Sequence, residues 1–474
     1  MNPETFGTAP QRASSQRASS QGASSLPALY RAVWRWHFYA GLVVVPFLLV
    51  LALTGLVMVY GGSVETFFGK KYPVTPGGER LSIEAQMKAA EAAIPGGTAR
   101  LFVHPAAADR RASVFLVNAD AKDHVVSIDP HDGKVLGTIV KDDTWFYWAD
   151  HIHGTLLLGD FGDRLQEIAA GLGIVLVLTG LYLWWPRNGR GWAQALMPNL
   201  ALRGRALWRQ LHMTGGFYFS IVLLFFLLSG LAWTGIWGTK IVQAWSTFPA
   251  EKFDNVPLSD ETHAKMNHGA MKEVPWALEQ TPMPLSGSQA GKQAIPMGQV
   301  DLDTVSAYAR SIGFAAQFRI NLPSGPKGVY TISADSMDGD TTDPMGDRTI
   351  HIDRYSGKAL ADIRFADYSL GGKAMAVGIA LHQGTLGLWN TILNTVYCLF
   401  VVFLCVSGVV MWWKRRPAGS LGAPRYPADY RIPRAVLGIA LVVCVLFPLT
   451  GLAILAFAAF DFLLPRRLKQ AAYS

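Results

Sequence analysis

The sequence predicts a membrane α-helical bundle, with four spans in two parallel repeats plus a fifth C-terminal apolar segment, joined to two soluble α+β domains. Three observations predict it. Trp34–Tyr60 is an apolar run, and no charged residue occurs between Arg35 and Glu65; about 20 apolar residues cross a bilayer core of roughly 30 Å. The same design returns at Trp208–Trp237, where His212 matches His37 and Gly230 matches Gly55, both displaced by 175 positions. The charges, only 16% of a chain that is 50% hydrophobic, collect in two long segments between the apolar runs. That uneven distribution indicates helices in lipid plus soluble domains.

In chain order, residues 1–30 carry the low-complexity run QRASSQRASSQGASS and read as a disordered cytoplasmic tail. The apolar run that follows starts too late and is too long for a cleavable signal peptide. Span one is 31–61; Arg31 and Arg35 ahead of it place the N-terminus in the cytoplasm. Residues 62–150 form the first soluble domain, with a helix over Ser82–Ile94 and alternating strands after it. Span two, with a preceding histidine segment, is 151–186. The loop 187–208 holds Arg187, Arg190, Arg203 and Arg205 and no acid, so it is cytoplasmic. Span three is 209–238. The second soluble domain, 239–373, precedes span four and its histidine segment, 374–413, and a basic loop, 414–434. The last apolar run, 435–464, is interrupted by Pro448 and Gly451 and reads as one tilted span or a re-entrant segment, with the single span favoured.

The soluble segments share the pattern I-D-x-x-x-G-K-x-L-x-x-I, at Ile128–Ile139 and Ile352–Ile363. It reads as two strands joined by a glycine turn. The spans that follow align as well, Gly180 with Gly408 and Trp184 with Trp412. The chain is therefore two copies of helix, soluble domain, helix, about an axis along the membrane normal. The second copy carries extra residues, mostly within 239–300.

Four histidines take matched places in the copies. His37 and His212 begin spans one and three; His153, in HIHGTLLLG, and His382, in LHQGTLGLW, precede spans two and four. Two imidazoles at each membrane face are the ligand set of a bis-imidazole haem, one nitrogen on each side of the iron. A single interfacial histidine is more commonly a hydrogen-bonding or snorkelling residue, and it is the fourfold match that favours ligation. His151, two residues from His153, is a rival ligand that would point elsewhere on a helix. Thr54-Gly55, Thr179-Gly180, Ser229-Gly230 and Ser407-Gly408 lie deep in the four spans, either giving a flat macrocycle room or packing helices closely.

His263, Met266, His268 and Met271 have a soft-metal spacing, although a polar loop is the simpler reading. Cys398, Cys405 and Cys444 lie in apolar runs and read as small buried hydrophobes. The sequence carries no phosphate-binding loop and no dinucleotide fingerprint, so nothing in it binds NADPH or flavin by itself. The net charge of +8 is topology information, not a nucleic-acid footprint.

From Tyr30 on, WRWHFYAGL, HGTLLLGDFG with LTGLYLWWPR, LHMTGGF with LSGLAW, LHQGTLGLW with VSGVVMWWKRR, and FPLTGLAIL resemble the PepSY-associated transmembrane family of bacterial iron-regulated inner-membrane proteins. The resemblance implies that the soluble domains are PepSY-like and periplasmic. It also implies that His37, His153, His212 and His382 are the positions to test as ligands of haem b, two groups in all, with His151 in competition with His153. Members include reductases of ferric siderophores, which implies a ferric chelate as electron acceptor and a cytoplasmic or quinol donor. Other members have no assigned role, so a membrane-anchored docking module for a peptide, protease or transporter stands as the alternative.

Overall fold

The computed structural model describes residues 28–61, 72, 74, 77–105, 113–187, 191–243, 252, 255–267, 274–418, 421–422 and 433–463. The N-terminal tail up to residue 27 and Arg190 lie outside them.

Four described helices are long and apolar enough to cross a membrane: α1 (Ala28–Val59), α4 (Gly159–Trp184), α6 (Gly204–Leu231) and α9 (Leu388–Trp413). They close a ring. α1 packs on α4 and α9, and α6 packs on the same two. Val44 and Leu48 of α1, Leu172 and Val177 of α4, Leu223 and Leu227 of α6, and Val401 and Cys405 of α9 meet in the middle and make one apolar core. Cys398 and Cys405 are free and buried in this bundle, as small hydrophobes.

Two short helices end just before spans at the end of the bundle that carries the soluble part, called here the sheet end. These are α3 (Trp145–Thr155) and α8 (Leu370–Gln383). Each stops where the backbone turns left-handed: at Leu156 and Leu157 after α3, and at Gly384 (φ 86°) after α8. The histidine segment and the span within 374–413 are thereby two separate helices. The apolar run that contains Ile379 is continuous in sequence, but Gly384 and Gly387 break it, and the span itself starts at Leu388.

The C-terminal run is also broken. α10 (Arg434–Leu446) and α11 (Pro448–Leu463) are separated by Phe447. A Cβ at Gly451 would lie 2.9 Å from Cys444 Cα, whereas residues seven apart in a continuous helix are separated by about 10 Å. The run therefore folds back on itself, and the favoured single span is replaced by a helical hairpin. The proline cannot donate the hydrogen bond that would continue the helix. Thr450 of α11 packs against Gly171 of α4.

The two polar segments share one sheet. After α2 (Ile83–Ala92) come β1 (Thr98–His104), β2 (Ser113–Ala119), β3 (Lys122–Ile128) and β4 (Val135–Val140). After α7 (Leu302–Ser311) come β8 (Phe318–Asn321), β9 (Val329–Ala334), β10 (Arg348–Asp353) and β11 (Lys358–Arg364). Between α6 and α7 lie β5 (Leu258–Thr262) and β6 (Pro282–Pro284), which pair with each other, and β7 (Lys292–Gln293). The large sheet runs β4-β3-β2-β1-β8-β9-β10-β11-β7. Its seam is the antiparallel β1–β8 pair, with Phe102 opposite Ile320 and Leu101 opposite Asn321.

Each half is thus a helix followed by a four-stranded meander, and the repeated motif serves the same turn in both. Gly133 and Gly357 have φ of 74° and 69°, and their N–H groups donate to the carbonyls of Asp129 and Asp353. Both helices cover one sheet face, over a core of Phe102, Phe115, Phe318, Ile320, Ile332 and Ile350. Their starts are tied together as well: the Asp303 carboxylate of α7 accepts the N–H groups of Ile83 and Glu84 at 2.6 and 3.2 Å.

Candidate functional site

The four repeat-matched histidines each make the same contact, and always with a neighbouring helix. His37 Nδ1 of α1 lies 3.0 Å from Thr179 Oγ1 of α4. His212 Nδ1 of α6 lies 2.7 Å from Ser407 Oγ of α9. His153 Nδ1 of α3 lies 2.9 Å from Thr54 Oγ1 of α1, and His382 Nδ1 of α8 lies 2.7 Å from Ser229 Oγ of α6. Every hydroxyl belongs to one of the four small pairs picked out in the spans.

The direction of these bonds follows from where the hydroxyl protons go. Thr54, Thr179 and Ser229 donate to the carbonyls four residues back, at 2.7, 2.7 and 2.8 Å, and Ser407 donates to that of Leu404 at 2.9 Å. A hydroxyl has one proton and two lone pairs. With that proton spent on the backbone, the oxygen accepts from Nδ1–H. The neutral ring then keeps its lone pair on Nε2, the tautomer that metal-bound histidines hold through such a second bond. The glycine after each hydroxyl faces the histidine ring, and Gly180 is the one whose missing side chain the ring needs. A Cβ at Gly180 would come within 3.1 Å of His37 Cε1, and one at Gly230 within 3.6 Å of His382 Cε1.

The histidines fall on two levels. Seventeen residues separate His37 from Thr54 in α1, and His212 from Ser229 in α6, a rise of about 25 Å. At the far end lie His37 of α1 and His212 of α6. At the sheet end the His153 and His382 rings have centroids 6.4 Å apart. A metal–imidazole nitrogen bond is about 2 Å, so two imidazoles on opposite sides of one ion have centroids about 6 Å apart. The bundle core fills the space between the levels.

His151 turns away from this arrangement. Its Nδ1 lies 2.9 Å from Tyr147 O, its ring sits 3.9 Å from the Tyr147 ring, and His153 alone of the two meets Thr54. Of the soft-metal set in the extra segment, His263 and Met266 are among the described residues. His263 is fully buried, with Nε2 3.0 Å from His351 Nε2 and Nδ1 2.6 Å from Thr281 O. Met266 packs against the Ala361–Ile363 cluster, and His268 and Met271 lie outside the described residues.

Sequence reasoning assigned the glycines of the four pairs and missed the hydroxyls as partners of histidine. It also missed three amides behind the sheet-end rings. Gln166 Nε2 donates to His153 O at 2.9 Å. Asn390 donates to Leu381 O at 2.9 Å, and Asn394 to the carbonyls of Leu381 and His382 at 3.0 and 2.8 Å. Gln166 and Asn394 are 228 positions apart, the displacement that relates Gly180 to Gly408, so the repeat held the signal.

Fold and site together define a multi-pass membrane protein with a large antiparallel sheet at one end of the bundle and histidines on two levels, each held by a hydroxyl of a neighbouring helix. The PepSY-associated TM region family matches residues 34–415, and the chain belongs to that family. No curated protein matches the chain.

Proposed function

We propose that this protein is an inner-membrane haem reductase, with His37 and His212 holding one haem b near the cytoplasmic face and His153 and His382 holding another near the periplasmic face. The observation that carries the reading is the common contact: four imidazoles, on two levels, each with Nδ1 on a hydroxyl whose own proton goes to the backbone, which leaves the Nε2 lone pair for a metal. Haem at both levels would supply one-electron transfer across the apolar layer, from a cytoplasmic or quinol donor to a periplasmic ferric chelate such as a siderophore.

The chain's own residues prepare the two sites. Thr54, Thr179, Ser229 and Ser407 fix the ring planes, and Gln166 and Asn394 anchor the backbone at the sheet-end histidines. Val44, Leu48, Leu223, Leu227 and Val401 exclude water and ions between the levels. Arg187, Arg203, Arg205, Arg209, Arg415 and Arg416 flank the far end, which suits the cytoplasmic side. A ferric chelate offers hard oxygen donors, and ferrous iron fits them less well, so reduction would loosen the metal.

The test is a pyridine haemochrome assay on purified protein. Two haems per chain are expected, falling to one in His382→Ala and in His212→Ala. A colourless, correctly folded chain would refute the reductase and leave the docking module.

A further inference from the structure

We infer that Asp335, Asp338 and Asp340 form a binding site for one Ca2+ ion on the sheet face opposite α2 and α7. The inference is independent of the haem reading. One carboxylate oxygen from each of the three lies within 4.8 Å of the others. That is the spread allowed to ligands sharing an ion at about 2.4 Å, the Ca2+–oxygen distance. Asp335 and Asp340 are buried, and Asp338 partly so.

A second observation is a lack of partners. Asp335 Oδ2 and, on the neighbouring strand, Thr349 Oγ1 are buried with no hydrogen-bond partner among the described residues. Thr349 faces Ser333, two residues before Asp335, across the β9–β10 pair. Buried oxygens in native proteins are nearly always satisfied by protein, water or an ion, and leaving one unpaired is destabilising. Their concentration here indicates a missing shared partner.

The charge balance points the same way. Arg319 pairs with Asp338 at 2.5 Å and Asp340 at 3.2 Å. One guanidinium thus meets two of the three carboxylates, with Asp347 beside them, bonded to Ser336. A divalent cation supplies the positive charge that a single guanidinium leaves unmatched. The donors are all oxygen, the chemistry of a hard cation; Ca2+ accepts an irregular shell, whereas Mg2+ demands a near-ideal octahedron. The loop also touches the bundle: Met337 packs with Trp276 and with Ile379 of α8, the helix that carries His382.

Full-length protein in detergent, stripped with chelator, is titrated with Ca2+ by calorimetry and with Tb3+ by luminescence. One ion per chain is expected, with a dissociation constant at or below about 1 mM, the weak end for extracellular Ca2+ modules. Asp335→Asn and Thr349→Val, checked for folding by circular dichroism, should weaken it, the former by about tenfold or more. In wild-type protein Ca2+ should raise the melting temperature and Mg2+ should not. The inference is overturned by the absence of saturable binding, by Asp335→Asn binding as wild type does, or by preference for another divalent ion.

Discussion

Gly180 and Gly408 occupy matched positions, yet their surroundings differ by nearly an ångström. A methyl group at Gly180 would meet His37 Cε1 at 3.1 Å, whereas one at Gly408 would meet His212 Cε1 at 4.0 Å, an ordinary contact. Gly180→Ala should therefore displace the His37 ring and weaken its bond to Thr179, and Gly408→Ala should be tolerated. Optical spectra of the two purified variants, with thermal melts, test the difference; equal behaviour would refute it.

The buried His263–His351 pair gives a second prediction at this scale. Thr281 O can only accept, so His263 carries its proton on Nδ1 and its Nε2 accepts from His351 Nε2–H; His351 Nδ1 then accepts from the Thr331 hydroxyl at 3.0 Å. Burial pushes His263 down to about 4, and burial and then His263 push His351 well below the usual imidazole range. Below pH 6.5 the unfolded chain binds protons that the folded pair refuses. Stability is therefore full above that pH and falls as pH drops toward 4, by about 1.4 kcal/mol per pH unit for each histidine. The raised Asp335 and Asp347 act in the opposite sense, because their folded forms take up protons first. The measurable quantity is the difference between wild type and His263→Gln in denaturant titrations at pH 7.5 and pH 5, which should narrow as pH falls.

At the scale of elements, the break between α8 and α9 sets the sheet-end site. Gly384 has φ of 86°, and a Cβ there would meet Asn394 Nδ2 at 3.2 Å, the amide that holds the His382 carbonyl. Gly384→Ala should cost about 1–2 kcal/mol from the left-handed backbone alone and disturb the His382 level while sparing that of His212. Resonance or optical spectra that resolve the two levels would show this, and equal loss at both would refute it. The break also shows how far the sequence could be read. The apolar run from Ile379 to Trp413 has the composition of one long helix, and composition averages over single residues. Two glycines decide the geometry, and each of them is also an ordinary residue of a packed helix.

At the scale of the molecule, the β1–β8 seam joins the halves. Phe318 is fully buried at that seam and stacks on His104 of β1. Phe318→Ala should cost about 3–5 kcal/mol and loosen both meanders together. Hydrogen exchange should show protection falling in residues 98–140 as well as in 318–364; a loss confined to the second set would mean that the halves are stable separately.

Apolar run length, the positions of the arginines and the two displaced copies are one-dimensional quantities, so the sequence by itself determined the four spans, the turn shared by the meanders and the four histidines worth testing. Partners came only from the tertiary structure. Which hydroxyl faces which imidazole, whether His151 or His153 turns inward, how two soluble segments merge into one sheet and where the C-terminal run folds back all depend on contacts between residues far apart in the chain. A periodicity reports which face of an element is apolar; the angle at which that face meets its neighbour is set by packing, and packing fixed the direction of the four matched imidazoles.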